Sequence, residues 1–180
     1  GKLAQLDDKV TCYASTRARY VGDLDITFDL EGALSRSNCG WLAFYSKSLK
    51  RDLRALKFMD WIDPRTGRRE AHVQWGNTQW PTSITFPQSN PTSTVNRHRI
   101  EFKGCTLAWR INGVEALKGL EPRDSRGEPV LPAERAEQRP VIGLSRGGAL
   151  ISVRIKGFLQ REWFEEQLAL PRGAAKGGGK

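Results

Sequence analysis

The sequence predicts an all-β protein built from antiparallel strands, and three observations carry that prediction. In residues 96–116, His98, Ile100 and Phe102 alternate with Arg97, Arg99 and Glu101; Leu107, Trp109 and Ile111 then alternate with Thr106, Ala108 and Arg110. A period of two marks strands whose successive side chains point to opposite faces. Lys103-Gly104 separates the runs and Asn112-Gly113 follows the second, a dipeptide that accepts the positive φ angles of a tight hairpin. This stretch reads as a three-stranded meander ending near Ala116. The same alternation returns at 24–30, and a closing strand is read at 150–158, near the other end of the chain.

Taken in order, residues 10–14 are a short strand candidate. In 24–30, Leu24, Ile26, Phe28 and Leu30 face one way and Asp25, Thr27 and Asp29 the other, so one face should lie on a core. Residues 40–46 are apolar on both faces and should be central in a sheet. Between Lys47 and Arg69 the β pattern lapses: Leu49, Leu53 and Leu56 are spaced for one face of a short helical crossover at 48–57, and 63–67 is a turn. Residues 70–75 form a strand with Ala71, Val73 and Trp75 on one face and Glu70, His72 and Gln74 on the other. A polar loop at 76–83, a short strand at 84–86 and a two-proline loop lead into the meander. Residues 120–140, with four prolines, read as a long surface excursion. Closing strands follow at 141–145 and 150–158. A terminal helix at 159–170 should dock through Trp163, Phe164 and Leu168, ahead of Pro171.

At 180 residues the chain suits one domain, placed at 1–170, with 171–180 as a flexible basic Gly-rich tail or linker. Its hydrophobic fraction of 38% is ordinary, and no apolar run approaches the ~20 residues that cross a bilayer. The chain reads as soluble, and because it opens on Gly1 and its single methionine is Met59 it is expected to be a processed product or a domain cut from something longer, with fusion to other domains the leading expectation. Cys12, Cys39 and Cys105 offer neither a disulfide framework nor a metal spacing; one bridge, Cys12 or Cys39 with Cys105, stays open beside free thiols. The net charge of +9 admits an anionic polymer or nucleic acid as partner, although the excess is spread along the chain.

The segments 20–30, 97–114 and 139–158, in that order, resemble the paired strands of concanavalin A-like jelly-roll domains. The nearest patterns are those of the 3-keto-disaccharide hydrolase-like domain and its laminin G-like relatives. The resemblance implies a two-sheet antiparallel jelly-roll sandwich whose concave sheet holds a ligand cleft, and a location outside the cytoplasm or on the cell surface. No cofactor is implied, and a structural calcium ion stays open. The family's Tyr-Glu-x-Gln-Ile strand has its counterpart at 71–75, where Gln74 is retained and the acid before it is missing.

Chemistry is sparse. There is no Gly-x-Ser-x-Gly elbow, no phosphate-cradling loop and no His-Glu-x-x-His. His72 and His98 are the two histidines, too few for a histidine-rich metal site; His98 falls on the apolar face with Ile100 and Phe102 and should be a core residue. Glycoside hydrolysis asks for two carboxyls, one kept protonated. The candidates are Asp60, Asp63 and Glu70, with His72 beside Glu70; Asp60 and Asp63 read as turn acids. Sugar binding asks for a ring and hydrogen-bonding groups. Gln74, Trp75, Asn77, Gln79 and Trp80 provide these within a few residues. A carbohydrate-directed binding module is thus the leading expectation. A glycoside-processing enzyme comes second and a binder of anionic polymers third.

Overall fold

The computed structural model describes residues 3–4, 12–31, 40–44, 56–62, 69–76, 78–82, 95–131, 138, 140–144 and 149–169. Twelve strands and one helix appear among them. They are β1 (Leu3–Ala4), β2 (Cys12–Ser15), β3 (Tyr20–Glu31), β4 (Gly40–Phe44), β5 (Leu56–Ile62), β6 (Arg69–Trp75), β7 (Thr78–Pro81), β8 (Asn96–Lys103), β9 (Thr106–Ile111), β10 (Val114–Leu120), β11 (Val141–Leu144), β12 (Ala149–Leu159) and α1 (Arg161–Ala169). The strands form two six-stranded sheets, ordered β1-β12-β3-β8-β9-β10 and β2-β11-β4-β5-β6-β7. Every pairing is antiparallel. The molecule is a jelly-roll sandwich.

Alternation dictates the packing. Leu24, Ile26 and Phe28 of β3, Ile100 and Phe102 of β8, and Leu107, Trp109 and Ile111 of β9 are all buried and belong to one core. From the facing sheet, Leu56 and Phe58 of β5 and Ala71 and Val73 of β6 join it. Phe58 meets the rings of Phe102 and Trp109 edge-on, with centroids 6.1 and 5.4 Å away, the arrangement that aromatic quadrupoles favour.

The meander stands as its spacing predicts. Asn112 (φ 51°) and Gly113 (φ 82°) turn β9 into β10, and the Asn112 Oδ1 accepts the Arg97 N–H at 2.8 Å. β10 is an edge strand, and its register against β9 slips twice, between Glu115 and Leu117 and between Leu117 and Leu120.

Three expectations are corrected. Residues 56–62 are a central strand, β5, within the stretch where the β pattern reads as lapsing, and Leu56 and Lys57 belong to it instead of to the helical crossover at 48–57; residues 48–55 lie outside the described part. The 120–140 excursion is not all surface, since Leu131 is buried in the core and Gln138, 2% exposed, exchanges backbone hydrogen bonds with Tyr20. In α1, Phe164 and Leu168 are exposed and Trp163 alone of the three docking residues is half-buried. Of the two states left open for Cys105, bridged or free, the structure shows the free thiol, in the β8–β9 turn. The short strand at 84–86 and the tail at 171–180 lie outside the described residues.

Candidate functional site

Register decides which side chains share a surface. Across the second sheet one row runs Lys57–Gln74–Gln79 and the next Met59–His72–Pro81; Glu70 follows, two residues along β6 from His72. These positions alternate with the buried Leu56, Phe58, Ala71 and Val73, so they occupy the face turned away from the core. Glu70 is exposed, and His72 and Gln74 are half-buried. The backbone also sets Trp41 opposite Met59 and Trp61 opposite Glu70.

The imidazole of His72 is held below the ordinary histidine value because burial disfavours its charged form; the Glu70 carboxylate pulls the other way and only partly offsets this. The ring is therefore kept neutral more readily than a solvated one. Gln74 donates from its side-chain nitrogen to the Gly76 carbonyl at 2.8 Å, which anchors the amide at the end of β6. Glu70 is the one carboxylate on this outward face among the described residues.

The predicted residues divide. Glu70, His72, Gln74 and Gln79 come together on this face. Trp75 and Trp80, placed with them by closeness in sequence, fall on the opposite parity and pack against the core. Asp60, expected as a turn acid, is 2% exposed and faces the interior, its Oδ2 3.8 Å from Nε2 of His98. His98 is buried as expected, stacked on Phe28 with centroids 4.9 Å apart. Its Nδ1 accepts the Trp109 indole N–H at 3.3 Å. Asp63 and Asn77 lie outside the described residues. Among those described, no three His, Cys, Asp or Glu side chains converge as metal ligands, and no helix is long and apolar enough to cross a membrane.

Solved structures share the architecture, among them the following three. A Parabacteroides distasonis protein provisionally named a glycosyl hydrolase is 13% identical, with a TM-score of 0.61 over 88% of this chain and 87% of that one. A Bacillus subtilis protein of unknown function with a galectin-like fold is 13% identical, with a TM-score of 0.58 over 89% and 83%. A carbohydrate-binding module from Bacillus subtilis is 10% identical, with a TM-score of 0.52 over 82% of each. The fold is that of the concanavalin A-like jelly rolls. At these identities the likeness concerns architecture and leaves activity to the residues. No family model and no curated protein matches the sequence.

In this jelly roll sequence reasoning missed the outer face of the first sheet. Arg97 grips Asp29 through two hydrogen bonds of 2.8 and 3.1 Å, and Arg99 grips Asp25 through two of 3.1 and 2.9 Å. Glu101 bridges Arg99 at 3.1 Å and Arg110 at 2.6 Å. The alternation of Arg97, Arg99 and Glu101 with the apolar residues was the available signal.

Proposed function

We propose that this chain is a ligand-binding module directed at carbohydrate through the outward face of the second sheet, acting outside the cytoplasm as one part of a larger protein. The observation that carries the reading is the surface formed by Lys57, Glu70, His72, Gln74 and Gln79. It combines a cation, a carboxylate, two amides and an imidazole kept neutral, which together donate to and accept from sugar hydroxyls. Among the described residues it has a single carboxylate, whereas glycoside hydrolysis with retention or inversion employs two, about 5 Å or further apart. The jelly-roll architecture of a known carbohydrate-binding module adds support.

A glycoside-processing enzyme resembling the 3-keto-disaccharide hydrolases is the second reading, favoured by one observation. The depressed His72 imidazole stands beside Glu70, a pairing suited to moving a proton near neutral pH. Screening a panel of neutral glycans by calorimetry, with Glu70→Gln alongside, separates the readings. Saturable binding by the parent chain with no turnover of any glycan supports the module. Turnover abolished by Glu70→Gln with binding retained supports the enzyme. No binding to any glycan overturns both.

A further inference from the structure

The outer face of the first sheet is organised differently from the polar face of the second. Register aligns Arg154, Thr27, Arg99, Arg110 and Glu115 in one row across five strands, with Lys156, Asp25 and Glu101 in the row beside it. Arg99 and Arg110 are direct cross-strand partners, a like-charge arrangement that costs stability by itself. Glu101, bound to both, offsets the cost. A depression of ≈ 360 Å³ lies over these rows, lined by Asp25, Thr27, Gly113 and five cations, Arg97, Arg99, Arg110, Arg154 and Lys156.

The local carboxylates are already engaged. Both oxygens of Asp25 accept from Arg99, so Lys156, its direct neighbour across the strands, is left over, as is Arg154. Both are exposed, and among the described residues neither forms an ion pair. From Arg154 to Arg110 is three inter-strand steps, about 14 Å. Cations repeated over that distance on an open surface match a chain lying across the sheet better than a small ion.

We infer that this face binds a linear acidic polysaccharide bearing sulfate or carboxylate groups. The guanidinium fork pairs bidentately with such groups, and Arg154 and Lys156 add unneutralised charge. Thr27 and the carboxylates that hold the arginines in place offer partners for sugar hydroxyls. A nucleic acid fits less well: no aromatic side chain lines the depression, and bases bind single-strand sites largely by stacking on aromatic rings. The inference concerns the opposite sheet from the face proposed above and is tested separately from it.

The test compares the parent chain with an Arg154→Ser/Lys156→Ser variant and with a charge-matched Arg17→Ser/Arg126→Ser control, titrating heparin over a range of salt. All four side chains are exposed, and unchanged thermal midpoints confirm folding. The expected result is heparin binding by the parent, about tenfold weaker in the Arg154/Lys156 variant with a salt slope lower by about 2, and unchanged within twofold in the control. Three results would each overturn the inference: no heparin binding by the parent at low salt, an equal loss in the control, or tighter binding of single-stranded DNA of matched charge.

Discussion

His98 of the first sheet and Asp60 of the second face one another across the sandwich, Nε2 3.8 Å from Oδ2, with each side chain 3% exposed. An indole N–H can only donate, so the bond from Trp109 makes Nδ1 of His98 the acceptor. That leaves the neutral ring's proton on Nε2, on the side of Asp60. A polar contact thus joins the two layers within a largely apolar and aromatic core. Removing one member takes this contact from the other at a site where each side chain is 3% exposed. Asp60→Ala is expected to cost about 3 kcal/mol in urea unfolding. In the double-mutant cycle with His98→Leu, the paired substitution should cost less than the sum of the single ones.

Asn112 performs two tasks at the β9–β10 turn: it adopts φ 51°, and its side chain bonds to the Arg97 N–H and to Oδ1 of Asn96. Asn112→Gly keeps the backbone freedom and loses both bonds, whereas Asn112→Ala also strains the backbone. Chemical unfolding should rank parent, Gly and Ala in falling stability, with Ala lower than the parent by about 2 kcal/mol.

Gly157 sits where β12 presses on the start of β3, beside a register shift between Gly157 and Phe158. A methyl group there would collide with Cδ2 of Leu24 and come within 3.2 Å of the Asp23 carbonyl oxygen. Gly157→Ala should destabilise by about 1–3 kcal/mol. Because the obstruction is a side-chain tip, adding Leu24→Val should recover part of the loss in thermal unfolding.

Trp80 and Gln79 are neighbours with opposite duties. Trp80 packs against the core and Gln79 is exposed on the outward face. Trp80→Ala should lower stability by about 2 kcal/mol or more, and Gln79→Ala should stay within about 0.5 kcal/mol of the parent. Equal effects in denaturant titrations would contradict the register.

Two groups link stability to pH. Burial places His72 below the usual value of 6.5, so the unfolded chain takes up its proton first. The contribution of His72 is intact above about pH 6.5 and declines as pH falls through the window below it. Asp29 is held below 3.8, chiefly by its hydrogen bond from Arg97 and also by that from Ser152. Its contribution is present above 3.8 and is lost as pH falls through the lowered value. An NMR titration should find His72 below 6.5, and Asp29→Asn should flatten the acid limb of the stability curve.

The meander was legible because its inward positions are uniformly apolar or aromatic down to His98, and its turns carry residues that take up positive φ. β5 was not, for the converse reason. Asp60 occupies an inward position while Met59, an outward one, is apolar, so the alternation is scrambled, and Leu49, Leu53 and Leu56 imitate a helical stripe. At the candidate site, parity separated Glu70, His72 and Gln74 from Trp75 correctly. Closeness in sequence suggested a Trp75–Trp80 sugar platform that the strand pleat turns inward. The cationic rows of the first sheet escaped because Arg154 and Lys156 are more than forty positions from Arg110 and meet it only through β3 and β8.

The two register slips in β10 bear on how the molecule behaves in a crowd. An incoming ribbon seeking to extend the first sheet would find its ladder of donors and acceptors out of phase twice within seven residues, with Glu115 and Lys118 standing exposed along the rim. Irregular, charged margins of this kind discourage fibril-like stacking. Along this border the protein resists growing by accretion even when concentrated.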